Sequence, residues 1–228
     1  MTAHRTTEGT GKLSFREELK IQRWDDHRYY HHSRINQSLH LFSSICFMAT
    51  YTLLFIHPGA AALIGWLLAM WSRQIGHFFF EPKTYDEVNH ATHEYKEEIK
   101  IGYNLTRKRV LLTIWALTPL ILYFQPGLFG LFEPHTDRQS YLQNLTLLWL
   151  VLGFAALLFR TVHLFFIHNV QTGLVWATKI LTDPFNDFRT YLKSPAYLLR
   201  GELIDPMIHV GHEDVPDEPE PITGRPLA

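Results

Sequence analysis

The sequence predicts an all-α, integral membrane helical bundle with about four hydrophobic segments and amphipathic interfacial helices. Three observations predict it. Apolar residues are gathered into four blocks, basic residues concentrate in the segments between alternate blocks, and most histidines fall in those same basic segments. The 228 residues fit one domain. We assign residues 1–204 to a single membrane-embedded helical domain. Residues 205–228 are Pro- and acid-rich and are expected to be a disordered tail. A formal charge of -1 gives no reason to expect a nucleic-acid partner. One cysteine, Cys46, rules out an internal disulfide framework or a cysteine-rich zinc site. The first 40 residues lack an apolar core, so no cleavable signal peptide is expected.

The blocks run in order. "LFSSICFMATYTLLFI" covers 41–56, and "HPG" then makes a tight turn. "PGAAALIGWLLAMW" covers 58–71 and continues less cleanly to Phe80. "VLLTIWALTPLILYF" covers 110–124, and "LTLLWLVLGFAALLFRTVHLFFI" covers 145–167. Only the last reaches the roughly 20 residues that cross a bilayer. Segments 41–56 and 58–80 either span or form a re-entrant hairpin. Lys and Arg fall in 1–40, 73–109 and 169–228, with Arg138 and Arg160 the exceptions. If all four blocks cross, the basic segments share one side, and both termini are cytoplasmic. The expected location is a bacterial inner membrane, or the endoplasmic reticulum in a eukaryote. Residues 86–100 are expected to be helical, and 178–206 to form short helices lying on the membrane. Arg160 reads as a snorkelling residue or a carboxylate clamp.

Four stretches could carry chemistry. In "WSRQIGHFFFEP", Gln74, His77 and Glu81 share one helical stripe, and Gly76 lets another element approach. Ionisable groups at membrane depth are costly and usually face a bundle interior. The alternative is a helix that has left the bilayer. In "YYHHSRINQSLH", Asn36 and His40 share a face, with His31 to one side. Imidazoles so arranged suit iron or zinc, and Asn36 could orient a ligand. In "DEVNHATHEYKEE", His90 and His93 are the candidates; Glu-x-x-His is a di-iron spacing, but a second copy is absent. In "RTVHLFFIHN", His168 is a further candidate ligand.

Two of these stretches, taken together, resemble a known family. His31-x4-Asn36-x3-His40 preceded by tyrosines, then "QIGHFFFEP" after a hydrophobic hairpin, looks like the membrane 2-hydroxy fatty acid dioxygenases of fatty-acid α-oxidation. The resemblance covers about residues 29–82. It implies an Fe(II)-dependent, O2-using membrane enzyme that shortens a 2-hydroxy fatty acid, or a related lipid, by one carbon. It makes His31, His40 and His77 metal-ligand candidates. Asn36, Gln74 and Glu81 become matched positions in the catalytic site. A fourth ligand is expected from His93 or His90, with His168 behind them. Arg73 or Arg34 could pair with the substrate carboxylate. Two other classes stay open: a di-iron lipid hydroxylase or desaturase, and a non-enzymatic membrane scaffold or assembly protein.

Overall fold

A computed structural model describes residues 13–81, 83–87 and 89–206. Every regular element among them is helical. Helix α1, Phe15–Tyr30, starts at a capping box: Glu17 N–H donates to Ser14 Oγ and Ser14 N–H to Glu17 Oε2. The chain then breaks helical geometry at residues 31–33. Ser33 caps α2, Arg34–Leu54, by accepting from Asn36 N–H. The stripe expected through residues 29–40 is therefore interrupted. Residues 203–205 run antiparallel beside the break, with Arg34 N–H donating to Leu203 O and Asp205 N–H to His32 O.

From Pro58 to Phe80 the chain is one helical rod with alternating pitch. It comprises α3 (Pro58–Leu63), a π-helical stretch (Ile64–Met70), α4 (Trp71–Ile75) and a second π-helical stretch (Gly76–Phe80). This rod packs antiparallel to α2 through small buried residues: Ala61, Ala62, Gly65, Ala69 and Gly76. Wider π turns loosen some backbone pairing, and Ser43 Oγ donates to Ala69 O at 2.8 Å.

The expected helix over 86–100 shrinks to α5, His93–Ile99. Asp86 and Ala91 exchange backbone hydrogen bonds and close a turn, and the Asp86 side chain accepts from Asn89 N–H. His90 within that turn has φ 48°.

Helices α6 (Leu105–Phe124) and α7 (Arg138–Ile167) form an apolar hairpin around Trp66, Trp115 and Trp149. Pro119 leaves the Trp115 carbonyl without its helical donor, and Thr118 Oγ1 supplies one. Helix α8, Val170–Tyr191, packs on α1, α2 and α7, and α9 is Ser194–Leu199. The 178–206 stretch is therefore no set of short surface helices. Its buried face carries Lys179, Asp183, Asp187 and Tyr191.

Among the described residues one helix, α7, is long and apolar enough to cross a membrane, with mean hydropathy 2.1. Four spanning helices are not found. The first half of α2 buries Asn36, Gln37, His40, Ser43 and Ser44 against its neighbours, and charge interrupts the start of α6. Large apolar side chains on α6 and α7, such as Leu120, Phe124, Phe154 and Phe166, are nonetheless exposed. The tail boundary also moves. Asp205 is buried and paired with Arg34 at 2.8 Å and with Gln37 Nε2 at 2.9 Å. Residues 207–228 of the expected tail lie outside the described residues.

Candidate metal centre

Three histidines distant in sequence meet in the interior. His31 comes from the α1–α2 connection, His40 from the second turn of α2, and His77 from the second π-helical stretch. Their ring centroids are 4.1 Å (31–40), 5.0 Å (31–77) and 5.0 Å (40–77) apart. One ring nitrogen from each lies within 4.8 Å of the other two. All three residues are at most 4% exposed.

Local chemistry produces this convergence. Ending α1 at Tyr30 and capping α2 at Ser33 turns His31 back over His40, so the two Nε2 atoms sit 3.2 Å apart. Asn36 Nδ2 donates to Tyr30 O at 2.6 Å and pins the bend. Gly76 admits His77 to the site. A Cβ there would lie 2.0 Å from Asn36 Oδ1 and 3.5 Å from His40 Cδ2. His77 Nδ1 lies 2.8 Å from Glu81 Oε2, so the ring is fixed with Nδ1–H donating. Glu81 itself is buried, and its other oxygen lies 3.9 Å from Lys100 Nζ.

Each of the other imidazoles also has a carboxylate beyond its Nδ1. For His40 it is Asp187 at 3.4 Å, and for His31 it is Asp26 at 3.7 Å. Burial, followed by the His40 ring, pushes His31 well below the ordinary imidazole range, so it is held neutral. At Asp26, burial acts to raise the pKa, but Lys179 and His31 together outweigh it and keep the carboxyl well below its usual range. Burial raises the Glu81 pKa, against the lowering effect of Lys100 and Lys108.

The arrangement suits a metal on chemical grounds. With the Nδ1 atoms protonated toward their carboxylates, the Nε2 lone pairs of His31 and His40 face one another at 3.2 Å. In that tautomer a cation between the two nitrogens relieves their repulsion. Two nitrogens about 2.1 Å from one ion are roughly 3.0–3.4 Å apart at ordinary bond angles. The donor set therefore fits a divalent transition ion.

The remaining sequence candidates are placed differently. His90 is exposed, and His93, at the first turn of α5, is half-buried; neither joins the group of three. The local turn at Asp86–Ala91 separates them from it. His168 is exposed at the C-cap of α7. Gln74 is buried and donates to Met70 Sδ at 3.3 Å, and it does not join the group of three. Arg34 is committed to Asp205 and Gln37 and lies over the Tyr197 ring. Arg73 pairs with Asp187. Arg160 is neither snorkelling nor clamping a carboxylate: it is buried and donates to the carbonyls of Ile101 and Gly102. Asp26, Asp187, Tyr191 and Lys108 were not singled out from the sequence. The readable signal was Lys179, Asp183, Asp187 and Tyr191 at four-residue spacing along α8. Lys108, in the first turn of α6, is half-buried and has no hydrogen bond or ion pair among the described residues. Burial and the neighbouring Lys100 lower its ammonium to about 7.

Fold and site together define an all-helical protein with a buried three-imidazole centre beside an apolar hairpin. Residues 21–90 match a family model described as 2-hydroxy-palmitic acid dioxygenase Mpo1-like. The resemblance read from the two motifs is shown over that segment, which contains all three histidines. No curated protein and no solved structure matches the chain.

Proposed function

We propose that the chain is a membrane-bound Fe(II) dioxygenase that removes one carbon from a 2-hydroxy fatty acid or a related lipid. The observation that carries this reading is the convergence of His31, His40 and His77 inside the segment that matches the family model. Bound at the three imidazoles, iron would supply the activation of O2 and the oxidation at the hydroxyl-bearing carbon. The protein's own residues do the rest. His31, His40 and His77 would hold the ion, and Glu81 keeps His77 in the ligating tautomer. Asn36 keeps the His31 bend against α2. The acyl tail would lie along the apolar faces of α6 and α7, and α7 with its neighbours would seat the protein in a bilayer.

Arg34 and Arg73 are already paired, whereas Lys108 is half-buried with no ion pair among the described residues, so Lys108 is taken as the partner of the substrate carboxylate. Its strongest electrostatic neighbours are Lys100, Glu81, Asp26 and Arg73, all around the histidine group. Arg109, the next residue, lies 5.9 Å from the Phe78 ring, so this turn of α6 borders His77.

The overall change balances without an external reductant. A 2-hydroxy acid and one O2 give the acid one carbon shorter, CO2 and water. A di-iron hydroxylase or desaturase would need two further electrons. It is also less well supported, since one group of three imidazoles is found among the described residues.

The test is metal analysis of anaerobically purified protein, then oxygen uptake with 2-hydroxypalmitate. The expected result is about one iron per chain and uptake without NAD(P)H. Two irons with a reductant requirement would favour the hydroxylase class. Absence of both tightly bound metal and uptake would favour a scaffold.

A further inference from the structure

Helix α8 lies outside the matched segment, yet it presents a row of buried polar residues to the histidines. Asp187 is the member that touches them. Its Oδ2 lies 3.4 Å from His40 Nδ1, at the long end of hydrogen bonding, and accepts from Arg73 Nη2 as well. Arg73 is on α4, one turn before His77. One carboxylate thus bridges α2, α4 and α8 at the level of the imidazoles. Further along the same face, Tyr191 stands 5.9 Å from the His31 ring and 6.3 Å from the His40 ring, with its hydroxyl 3.1 Å from His27 Nδ1.

A buried ion pair is weak evidence for stability, because desolvation offsets most of the attraction. The third partner makes this one specific. A carboxylate at Nδ1 selects the tautomer whose Nε2 is bare, and His40 Nε2 is the atom that faces His31. Glu81 stands in the same relation to His77, but within one helical turn. Asp187 does it from 147 residues away. The Arg73 guanidinium fixes that carboxylate and balances its charge, so the pair need not draw a proton or an external cation.

We propose that Asp187, held by Arg73, is the positioning residue that fixes His40 as an Nε2 ligand, making α8 a wall of the metal site. Arg73 is then a supporting residue and not the substrate's partner. The inference rests on the metal-binding reading above.

The experiment measures Co(II) and Fe(II) affinity of the full-length, detergent-purified, metal-stripped protein by competition with a chelator. It also records the Co(II) absorption spectrum. Asp187→Ala should weaken binding roughly 10–100-fold, as loss of an outer-shell carboxylate does, and alter the spectrum. Asp187→Glu should recover part of both. In a His40→Ala background, Asp187→Ala should cost nothing more, because its effect passes through that ring. Circular dichroism and melting report folding separately. If Asp187→Ala does not fold, Asp187→Asn, which keeps the volume but not the charge, takes its place with the same expected direction. Wild-type affinity and an unchanged spectrum in the variant would overturn the inference. So would an equal loss in the His40→Ala background, which would make Asp187 a general support. Failure of the wild-type protein to bind either ion would instead overturn the metal reading itself.

Discussion

The segment 21–90 and the segment 105–205 divide the work of this molecule unequally. The first supplies all three imidazoles, the glycine that lets them meet and two of the carboxylates beside them, Glu81 and Asp26. The second supplies the third carboxylate, Asp187, the half-buried Lys108, and the long apolar helices. On the proposed reading, the difference teaches that the ligands of a metal can be confined to a short segment. The walls from the second segment would then set what such an ion acts on. A family match limited to the first segment is what this division leads one to expect.

The sharpest way to break that comparison is to remove an imidazole. His77→Ala should abolish tight metal binding and, on the proposed reading, activity, by at least about 100-fold. Metal per chain after dialysis checks it. Retention of one ion per chain would mean that His77 is not needed to hold it.

Next comes Gly76→Ala. The added Cβ would meet Asn36 Oδ1 at 2.0 Å, and Asn36 is tied to Tyr30 O, so it cannot simply swing away. Overpacking of this kind costs about 1–3 kcal/mol. Melting temperature and metal content should fall together. Adding Asn36→Ala should restore some stability but not the metal, because the His31 bend loses its pin.

This pair of residues also shows what could be read from the chain alone. The grouping of His31, His40 and His77 was legible through the family resemblance that the two motifs carry. Gly76 was legible as a point of close approach. The π turns were not, because no local pattern signals them; Gln74 bonds Met70 while His77 bonds Glu81. Helix α8 was misread because aromatics mixed with charges look interfacial. Its charges turn inward to partners on α1, α2 and α4 that are far away in sequence. His90 and His93 misled for the opposite reason. They crowd one local stretch, and a turn with a positive φ keeps them there.

A smaller effect sharpens the comparison from the other side. Lys108→Ala should leave metal content and melting nearly unchanged and raise KM for a 2-hydroxy acid about tenfold, the worth of one charge-assisted contact near 1.4 kcal/mol. Equal KM in the variant would return the carboxylate to Arg73. A fall in metal content would place Lys108 in the first segment's task instead.

The smallest effect is one of pH on the metal-free protein, and its sign follows from His31. Burial depresses this imidazole's pKa in the folded state, while the unfolded chain titrates near 6.5. Between the two values the unfolded state binds more protons, so stability rises with pH there. The contribution is complete above about 6.5 and is lost as pH falls toward the folded value. Asp183 works in the other direction. Burial raises it to about 6, so between about 3.9 and 6 the folded state binds the extra proton. The two trends overlap, and the melting curve of one protein alone cannot separate them. Comparing wild type with His31→Gln cancels the Asp183 part. From about pH 7 to 5.5 the wild type should lose a few degrees more than the variant. Parallel curves would mean that His31 is solvated in the metal-free protein, and then the first segment is not pre-organised without its ion.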